Sequence, residues 1–257
     1  MRRLRYYLPA IVVFAAVILG WEALVAVLHI QRFLLPPPSA IGRELVDEWP
    51  TLRAAGTTTL IEAVGGFFIG LAVGLIVAFG TARFGLVRAG LMPFAIAANA
   101  VPIVAFAPIM NNWFGVASPV SKMMIVAVLV FFPVMINVVR GLTSADPATL
   151  ELMRSYAASE REIDWKVRIP AALPYFFTAL KVGATLSLIG AIVGEYFGGA
   201  NDALGRLIVE NAAFLRFSTA WAAIIIAAAL GIGFYLLIIT IERAAMPWHA
   251  SMRTRDT

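Results

Sequence analysis

VGGFFIGLAVGLIVAFG, residues 64–80, contains no charged or hydrogen-bonding side chain. It lies inside an apolar run, residues 57–81, that is long enough for a helix to cross the hydrocarbon layer of a membrane. Gly66, Gly70 and Gly74 recur every four residues, so they share one helical face on which a second helix can approach closely. The stretch therefore predicts a membrane span with a helix contact along one side. The spacing leaves open whether that contact is packing within the chain or a dimer contact.

The composition extends this prediction to the whole chain. Of the 257 residues, 61% are hydrophobic and 14% are charged, and the mean hydropathy is +0.88, which is far above the balance of a soluble domain. No segment outside the apolar runs is long enough to bury a core of its own. Cysteine is absent and the two histidines lie far apart, so no metal site is predicted. The chain is predicted to be an all-α integral membrane protein.

Six segments have the length and composition of a membrane-spanning helix. The third contains Pro93, Pro102 and Pro108, and we expect these prolines to interrupt it. A short amphipathic helix is expected between the first two segments, after three consecutive prolines. The six predicted spans are residues 8–29, 57–81, 88–109, 121–141, 175–197 and 219–241.

The distribution of Lys and Arg predicts the orientation. Of the 20 basic residues, 13 lie in the connections on the side of the N-terminus and 6 on the opposite side, with Lys181 inside the fifth span. Cytoplasmic loops carry the excess of Lys and Arg, so we expect a multi-pass protein of a bacterial inner membrane with both termini in the cytoplasm. Topology then accounts for the net charge of +5, and nucleic acid is not predicted as a partner.

A charged segment, ELMRSYAASEREIDWKVRIPAALP at residues 151–174, separates the fourth and fifth spans. The spacing of apolar residues from 150 to 165 predicts an amphipathic helix, with Asp146 as its N-cap. Pro170 and Pro174 are predicted to end this helix before the fifth span begins. Spacing alone leaves two interpretations open: a helix that lies on the membrane surface, or one that docks on another protein.

The same segment resembles the cytoplasmic loop of permease subunits of binding-protein-dependent ABC importers. The resemblance is strongest in KVRIPAALP, residues 166–174, and looser at the start, where Ala157 stands at the family's glycine position. Because alanine disfavours left-handed backbone, the sequence favours a tight turn less than glycine would. In that family the loop forms a coupling helix that fits a groove of the ATPase subunit. The resemblance implies that the contact is made by Glu151, Arg154, Ala157, Ala158 and Ser159.

The resemblance covers residues 56–243. It includes TTTLIEAVGGFFIG at 57–70, NAVPIVAFAPIMNNWFG at 99–115 and VGEYFGGANDALGRLI at 193–208. These features are most similar to the branch that imports nitrate, taurine, alkanesulfonates, or vitamin and pyrimidine precursors, and they imply a type I ABC importer permease fold. The implied division is residues 1–55 for a first span and an outer amphipathic segment, 56–243 for the permease core, and 244–257 for a cytoplasmic tail.

The resemblance also implies protein partners in addition to the lipid membrane. These are two ATP-binding subunits, a second permease copy that makes a homodimer, and an extracytoplasmic solute-binding protein. The chain has no G-x-x-x-x-G-K-[ST] motif, so it lacks a loop that cradles phosphates. We therefore expect ATP hydrolysis on a separate subunit, and this chain is expected to be neither an enzyme nor a cofactor-binding protein.

Polar residues in the apolar spans mark a candidate pathway, because each needs a partner or water. Asn99 and Pro102 in the third segment are expected to line the cavity wall, although Asn99 could equally satisfy the broken helix. Glu195, near the outer end of the fifth span, matches a glutamate of the family pattern. It is expected either to line the pathway or brace an outer gate, or to cap a helix or pair locally, for example with Arg206 or Arg216.

An ion-gradient-driven secondary transporter is the alternative function. Such a transporter needs paired acids deep in the spans, and the sequence offers only Glu195 with the distant Glu62. Glu62 and Lys181 are predicted to lie near span ends and to extend their charged groups to the interface.

Overall fold

The computed structural model describes residues 2–247, which fold into helices with short connections and no strand in that range. Five of these helices are long and apolar enough to cross a membrane. The helices are α1 (Arg2–Val27), α2 (Pro38–Asp47), α3 (Trp49–Arg83), α4 (Gly85–Ala98), a 3-10 turn (Ile103–Phe106), α5 (Ala107–Phe114), α6 (Pro119–Leu142), α7 (Pro147–Ser155), α8 (Glu160–Ile163), a π-helical turn (Asp164–Arg168), α9 (Ile169–Tyr196), α10 (Leu204–Ala213) and α11 (Phe217–Ala245).

The third predicted span, residues 88–109, is not one continuous helix. It is divided among α4, the 3-10 turn and α5, which together connect the two ends of the bundle. Pro93 lies inside α4 without ending it, whereas Pro102 begins the 3-10 turn and Pro108 lies in the first turn of α5. Only Pro102 therefore marks the break, because Pro108 occupies a position where a helix needs no N–H donor.

The centre of the bundle is α6, which lies between α3 and α9. A Cβ atom at Gly66 would lie 2.5 Å from the Met123 carbonyl oxygen, and one at Gly70 would lie 2.5 Å from that of Ala127. Gly74 meets Val134 of the same helix. The predicted helix contact is thus packing within the chain, where glycine brings two helix backbones close enough for extensive van der Waals contact.

The end of the bundle at which α3 and α6 begin is closed by α2 and α10, which pack against the start of α11. The predicted amphipathic helix forms as α2, and its Ile41 is buried in this contact. Glu22 of α1 accepts hydrogen bonds from the backbone N–H and the hydroxyl of Ser39, at 3.0 and 2.6 Å. These bonds fasten the otherwise peripheral α1 to the first turn of α2.

The two prolines at the start of the fifth span do not end a helix as predicted. The helix that starts at Glu160 continues through the π-helical turn into α9 without a break. Pro170 lies in the first turn of α9, and Pro174 is accommodated inside that helix. The wider π turn re-spaces the backbone hydrogen bonds just before Pro170, so the missing N–H of proline is tolerated there.

Candidate functional site

The charged segment forms a corner built from α7, a four-residue turn and α8. Asp146 caps α7 as predicted, since its carboxylate accepts from the N–H of Ala148 at 3.3 Å and from the hydroxyl of Thr149 at 3.1 Å. No residue of α7 is buried. The predicted single helix over residues 150–165 is therefore wrong, and the segment presents two short helices that meet at an angle.

The turn is made by Ala157, whose φ of +55° is left-handed. The Ala158 N–H donates to the Met153 carbonyl at 3.1 Å, and the Ala157 N–H donates to that of Arg154 at 2.9 Å. These two bonds define a Schellman motif, the helix ending that usually places glycine at this position. The tight turn thus forms although the sequence favours it less with alanine. The chain accepts the strain of a left-handed alanine, about 1–2 kcal/mol, in order to keep the corner.

The other side of the corner begins with a capping box. The Ser159 N–H donates to the Glu162 carboxylate at 2.9 Å, and the Glu162 N–H donates to the Ser159 hydroxyl at 3.3 Å. Arg154 forms an ion pair with Glu160 across the turn at 3.6 Å. Both helix ends at the corner are therefore satisfied by hydrogen bonds within the corner itself.

The corner exposes the residues implied as the coupling contact. Glu151, Arg154, Ala157 and Ser159 are exposed, and Ala158 is partly buried. Two apolar side chains beside them are also open to solvent, Leu152 at 56% and Tyr156 at 77% of their surface. A rigid polar surface that also exposes large apolar side chains has the composition of a protein contact.

Asn99 and Pro102 flank the break between α4 and the 3-10 turn, and both are exposed. The backbone tightens here, because the N–H groups of Ala100 and Val101 donate to carbonyls three residues earlier, both at 3.1 Å. Non-helical backbone at membrane depth is tolerated where it lines a cavity or is covered by protein. The exposed break is therefore open either to a cavity or to another chain.

Glu195 is fully buried at the end of α9. Its carboxylate accepts from the Gly205 N–H at 2.6 Å, while the Thr59 hydroxyl accepts from the Leu204 N–H at 3.0 Å. The two side chains therefore satisfy free N–H groups at the start of α10. A Cβ atom at Gly205 would lie 2.7 Å from Glu195, so only glycine lets α10 dock this closely.

These contacts distinguish the two expectations for Glu195. Within the described residues neither Arg206 nor Arg216 pairs with it, because Arg206 forms an ion pair with Glu210 at 2.6 Å. The local partner is instead a backbone amide. In this conformation Glu195 is positioned to brace α10, and its carboxylate does not reach an open surface of the chain.

Glu62 and Lys122 complete a buried charged cluster around Glu195. Glu62 is 1% exposed and lies beside the Glu195 carboxyl group, and Lys122 is 0% exposed and lies near both acids. The Lys122 ammonium donates to the Val116 carbonyl. One oxygen each of Glu62 and Glu195 finds no N–H or hydroxyl donor in residues 2–247.

The sequence did not predict that these three residues meet. The prediction that Glu62 reaches the interface is wrong, because Glu62 is buried in α3, which starts at Trp49. Lys122, at the start of the fourth predicted span, is buried in the first turn of α6. One sequence signal could have predicted the cluster: two acids and a lysine occur in or beside apolar, glycine-rich segments. Helices pack closely at such segments, and water is excluded between them.

Lys181 is paired within the chain. Its ammonium donates to both carboxylate oxygens of Glu242, each at 2.9 Å, and Glu242 is 7% exposed. The pair joins α9 to α11. Sequence reasoning missed it because Glu242 falls just beyond the predicted end of the sixth span.

The comparisons with known proteins agree with this architecture. A solved structure described as an amino acid ABC transporter with histidines has the same fold: the TM-score is 0.62 over 78% of this chain and 96% of that chain, at 18% identity. The fold is that of a type I ABC importer permease. A profile of the family described as "Binding-protein-dependent transport system inner membrane component" matches residues 70–246. The chain belongs to this family and is a multi-pass protein of the inner membrane.

Three relatives match this chain over most of their lengths. A probable ABC transporter permease protein of Haemophilus influenzae is 28% identical, covering 92% of this chain and 95% of the relative. The formylaminopyrimidine transport permease protein ThiX of Halalkalibacterium halodurans is 28% identical, covering 96% and 98%. The riboflavin transport system permease protein RibX of Chloroflexus aurantiacus is 30% identical, covering 90% and 86%. All three are transport permease components.

Proposed function

We propose that this ABC importer permease subunit moves a small organic or anionic solute into the cell by ATP-driven alternating access. The relatives named for formylaminopyrimidine and riboflavin support a solute in the range that the sequence suggests: an alkanesulfonate, taurine, nitrate, or a vitamin or pyrimidine precursor. In the proposed assembly the permease is a homodimer with both termini in the cytoplasm. An extracytoplasmic binding protein delivers the solute, and two ATP-binding subunits dock on the opposite side.

One observation carries the proposed coupling: the corner at residues 146–162 is locally rigid and exposed. A segment that transmits a displacement has to keep its shape under load, and the Schellman turn at Ala157 and the capping box at Ser159 provide this. The exposed Leu152 and Tyr156 supply apolar area for a partner. The segment leads through the π-helical turn into α9 without a break, so movement of the corner moves the α9 span.

The proposed pathway passes the break in the third segment. Asn99 and Pro102 are exposed there, and Asn99 offers both hydrogen-bond donors and an acceptor to a polar solute. Glu195 is proposed to act indirectly, by fixing α10 at the outer end. The alternative of an ion-gradient-driven transporter gains one feature, since Glu62 and Glu195 prove to be neighbours. Both acids are sealed from solvent, however, so no ion has access to them in this conformation.

A substitution at Ala157 tests the coupling role. The Ala157→Asp chain, co-expressed with its ATP-binding subunit, should lose co-purification of that subunit by at least about tenfold, because an unpaired charge in the interface costs more than about 1.4 kcal/mol. Membrane insertion should be unchanged. The measurement is the ratio of the two subunits after affinity purification through the permease.

Ala157→Asn is the matched control. Asn and Asp both tolerate left-handed backbone and have nearly the same size, so only the charge differs, and the Asn variant should retain the ATP-binding subunit. Unchanged co-purification of the Asp variant would refute the docking role. Solute uptake by vesicles that contain the purified permease alone, without any ATPase, would refute the ATP-driven mechanism.

A further inference from the structure

A cavity of about 760 Å³ lies behind the corner, at the end of the bundle where α3 ends and α4 begins. It is lined by residues from α3, α4, α6, α7, α8, the π-helical turn and the start of α9. Arg83 is the last residue of α3, Arg88 lies in the first turn of α4, and Arg161 lies in α8. Three arginines from separate elements therefore line one cavity, and none of them is a sequence neighbour of another.

These three arginines have no acidic partner within residues 2–247. Glu160 and Asp164 also line the cavity, but both are engaged by Arg168, at 3.1 and 2.6 Å. With Arg168 included, four arginines and two acids line the cavity, which gives it a net charge of +2. Like charges around a shared cavity repel one another, so a bound anion would stabilise the arrangement.

The rest of the lining is apolar. Phe79, Leu142, Trp165 and Ile169 face the same space, and Trp165 is 64% exposed. Tryptophan is enriched where a protein crosses from hydrocarbon to headgroups. A cavity lined by both guanidinium groups and apolar side chains, at the end of a membrane bundle, fits a phosphate-bearing headgroup.

We propose that Arg83, Arg88 and Arg161 form a phosphate-binding site, occupied by the headgroup of an anionic phospholipid or by free phosphate. A guanidinium donates two parallel hydrogen bonds to phosphate oxygens, and a chloride ion cannot accept them in this geometry. A zwitterionic headgroup has the same phosphate oxygens but also carries a cation, which the remaining arginines of the cavity repel. Because the cavity lies between the corner and the ends of α3 and α4, the ligand would join these parts. The proposal rests on the cavity alone and does not depend on the coupling role.

The test is native mass spectrometry of the purified full-length chain, titrated with phosphatidylglycerol or phosphatidylcholine. The native chain should bind one phosphatidylglycerol at least about tenfold more tightly than phosphatidylcholine, since each arginine near a headgroup contributes about fivefold. The triple variant Arg83→Gln, Arg88→Gln, Arg161→Gln should lose this preference. The control Arg43→Gln, Arg53→Gln, Arg216→Gln removes the same charge from exposed positions elsewhere and should keep it.

A second arm distinguishes the two sources of phosphate. If inorganic phosphate, compared with chloride at equal ionic strength, raises the thermal midpoint of the native and control chains but not of the triple variant, free phosphate is the ligand. A variant with lysine at the same three positions keeps the charge but lacks the paired donors, so it should retain only part of the preference for phosphatidylglycerol. This variant also controls for misfolding of the glutamine variant, because its charge is unchanged. If neither ligand distinguishes the native chain from the cavity variant, or the control loses binding equally, the proposal is overturned.

Discussion

The buried cluster of Glu62, Lys122 and Glu195 and the exposed corner at residues 146–162 lie at opposite ends of the bundle, and each has charges of both signs. In the cluster all three side chains are at most 1% exposed. In the corner, Arg154 and Glu160 form an ion pair with each other, and their side chains are 56% and 47% exposed. Removing charges from water costs several kcal/mol for each ion, whereas solvent screens charges at the corner.

The difference in burial between the cluster and the corner indicates that the charged side chains have different roles in the two regions. At the end of the bundle where α3 and α6 begin, the charged groups are buried among α3, α6 and α9, and they are partnered by one another and by the start of α10. At the corner, the hydrogen bonds of the turn fix the backbone, and the charged side chains remain exposed. Buried charge thus helps to hold one end of the bundle together, whereas the charge at the corner stays in contact with solvent.

The largest expected effect is at Lys122. Lys122→Met should lower the free energy of unfolding by about 3–5 kcal/mol, because it leaves two buried acids without a nearby cation. The comparison is Lys166→Met in the π-helical turn, which breaks an exposed pair with Glu162 of the corner at 3.5 Å and should cost less than about 1 kcal/mol. Thermal unfolding of both variants in the same detergent measures the difference. Equal losses would end the distinction between the two regions.

Gly205→Ala should have an intermediate effect, about 1–3 kcal/mol. The added Cβ would lie 2.7 Å from both Glu195 and the Ile192 carbonyl oxygen, and the backbone oxygen cannot yield easily. At Gly199, whose Cβ would meet its nearest neighbour at 3.5 Å, alanine should change stability by less than about 0.5 kcal/mol. The same thermal assay applies. If Gly205→Ala is as stable as Gly199→Ala, Glu195 does not hold α10 in the proposed way.

The smallest expected effect is at the turn. Ala157→Gly should stabilise the corner by about 0.5 kcal/mol, because relief of the left-handed strain exceeds the added entropy of the unfolded chain. Ala158→Gly, where φ is not positive, should destabilise it by a similar amount. Hydrogen–deuterium exchange of residues 150–165 should become slower in the first variant and faster in the second. Faster exchange in Ala157→Gly would show that the turn is not strained.

Much of this protein could be predicted because the underlying free energies are local. The apolar runs place the spans, since transfer of about 20 apolar residues into hydrocarbon is a property of the segment itself. Asp146 as a helix cap and the Gly66, Gly70 and Gly74 face also follow from short-range spacing. The likeness of residues 151–174 to an importer loop indicated the family, and the profile match over residues 70–246 confirmed it.

Tertiary structure decided where the charges lie and how the corner bends. Glu62, Lys122 and Glu195 stand on three different helices, so only the packing of α3, α6 and α9 determines that they share one dry site. Lys181 likewise finds Glu242 across α9 and α11. Ala157 is left-handed because the two helix ends around it gain more in hydrogen bonds than the turn costs. These ion pairs and this turn conformation depend on contacts between residues that are far apart in the sequence or on the balance of several hydrogen bonds. Short-range sequence patterns do not determine such contacts.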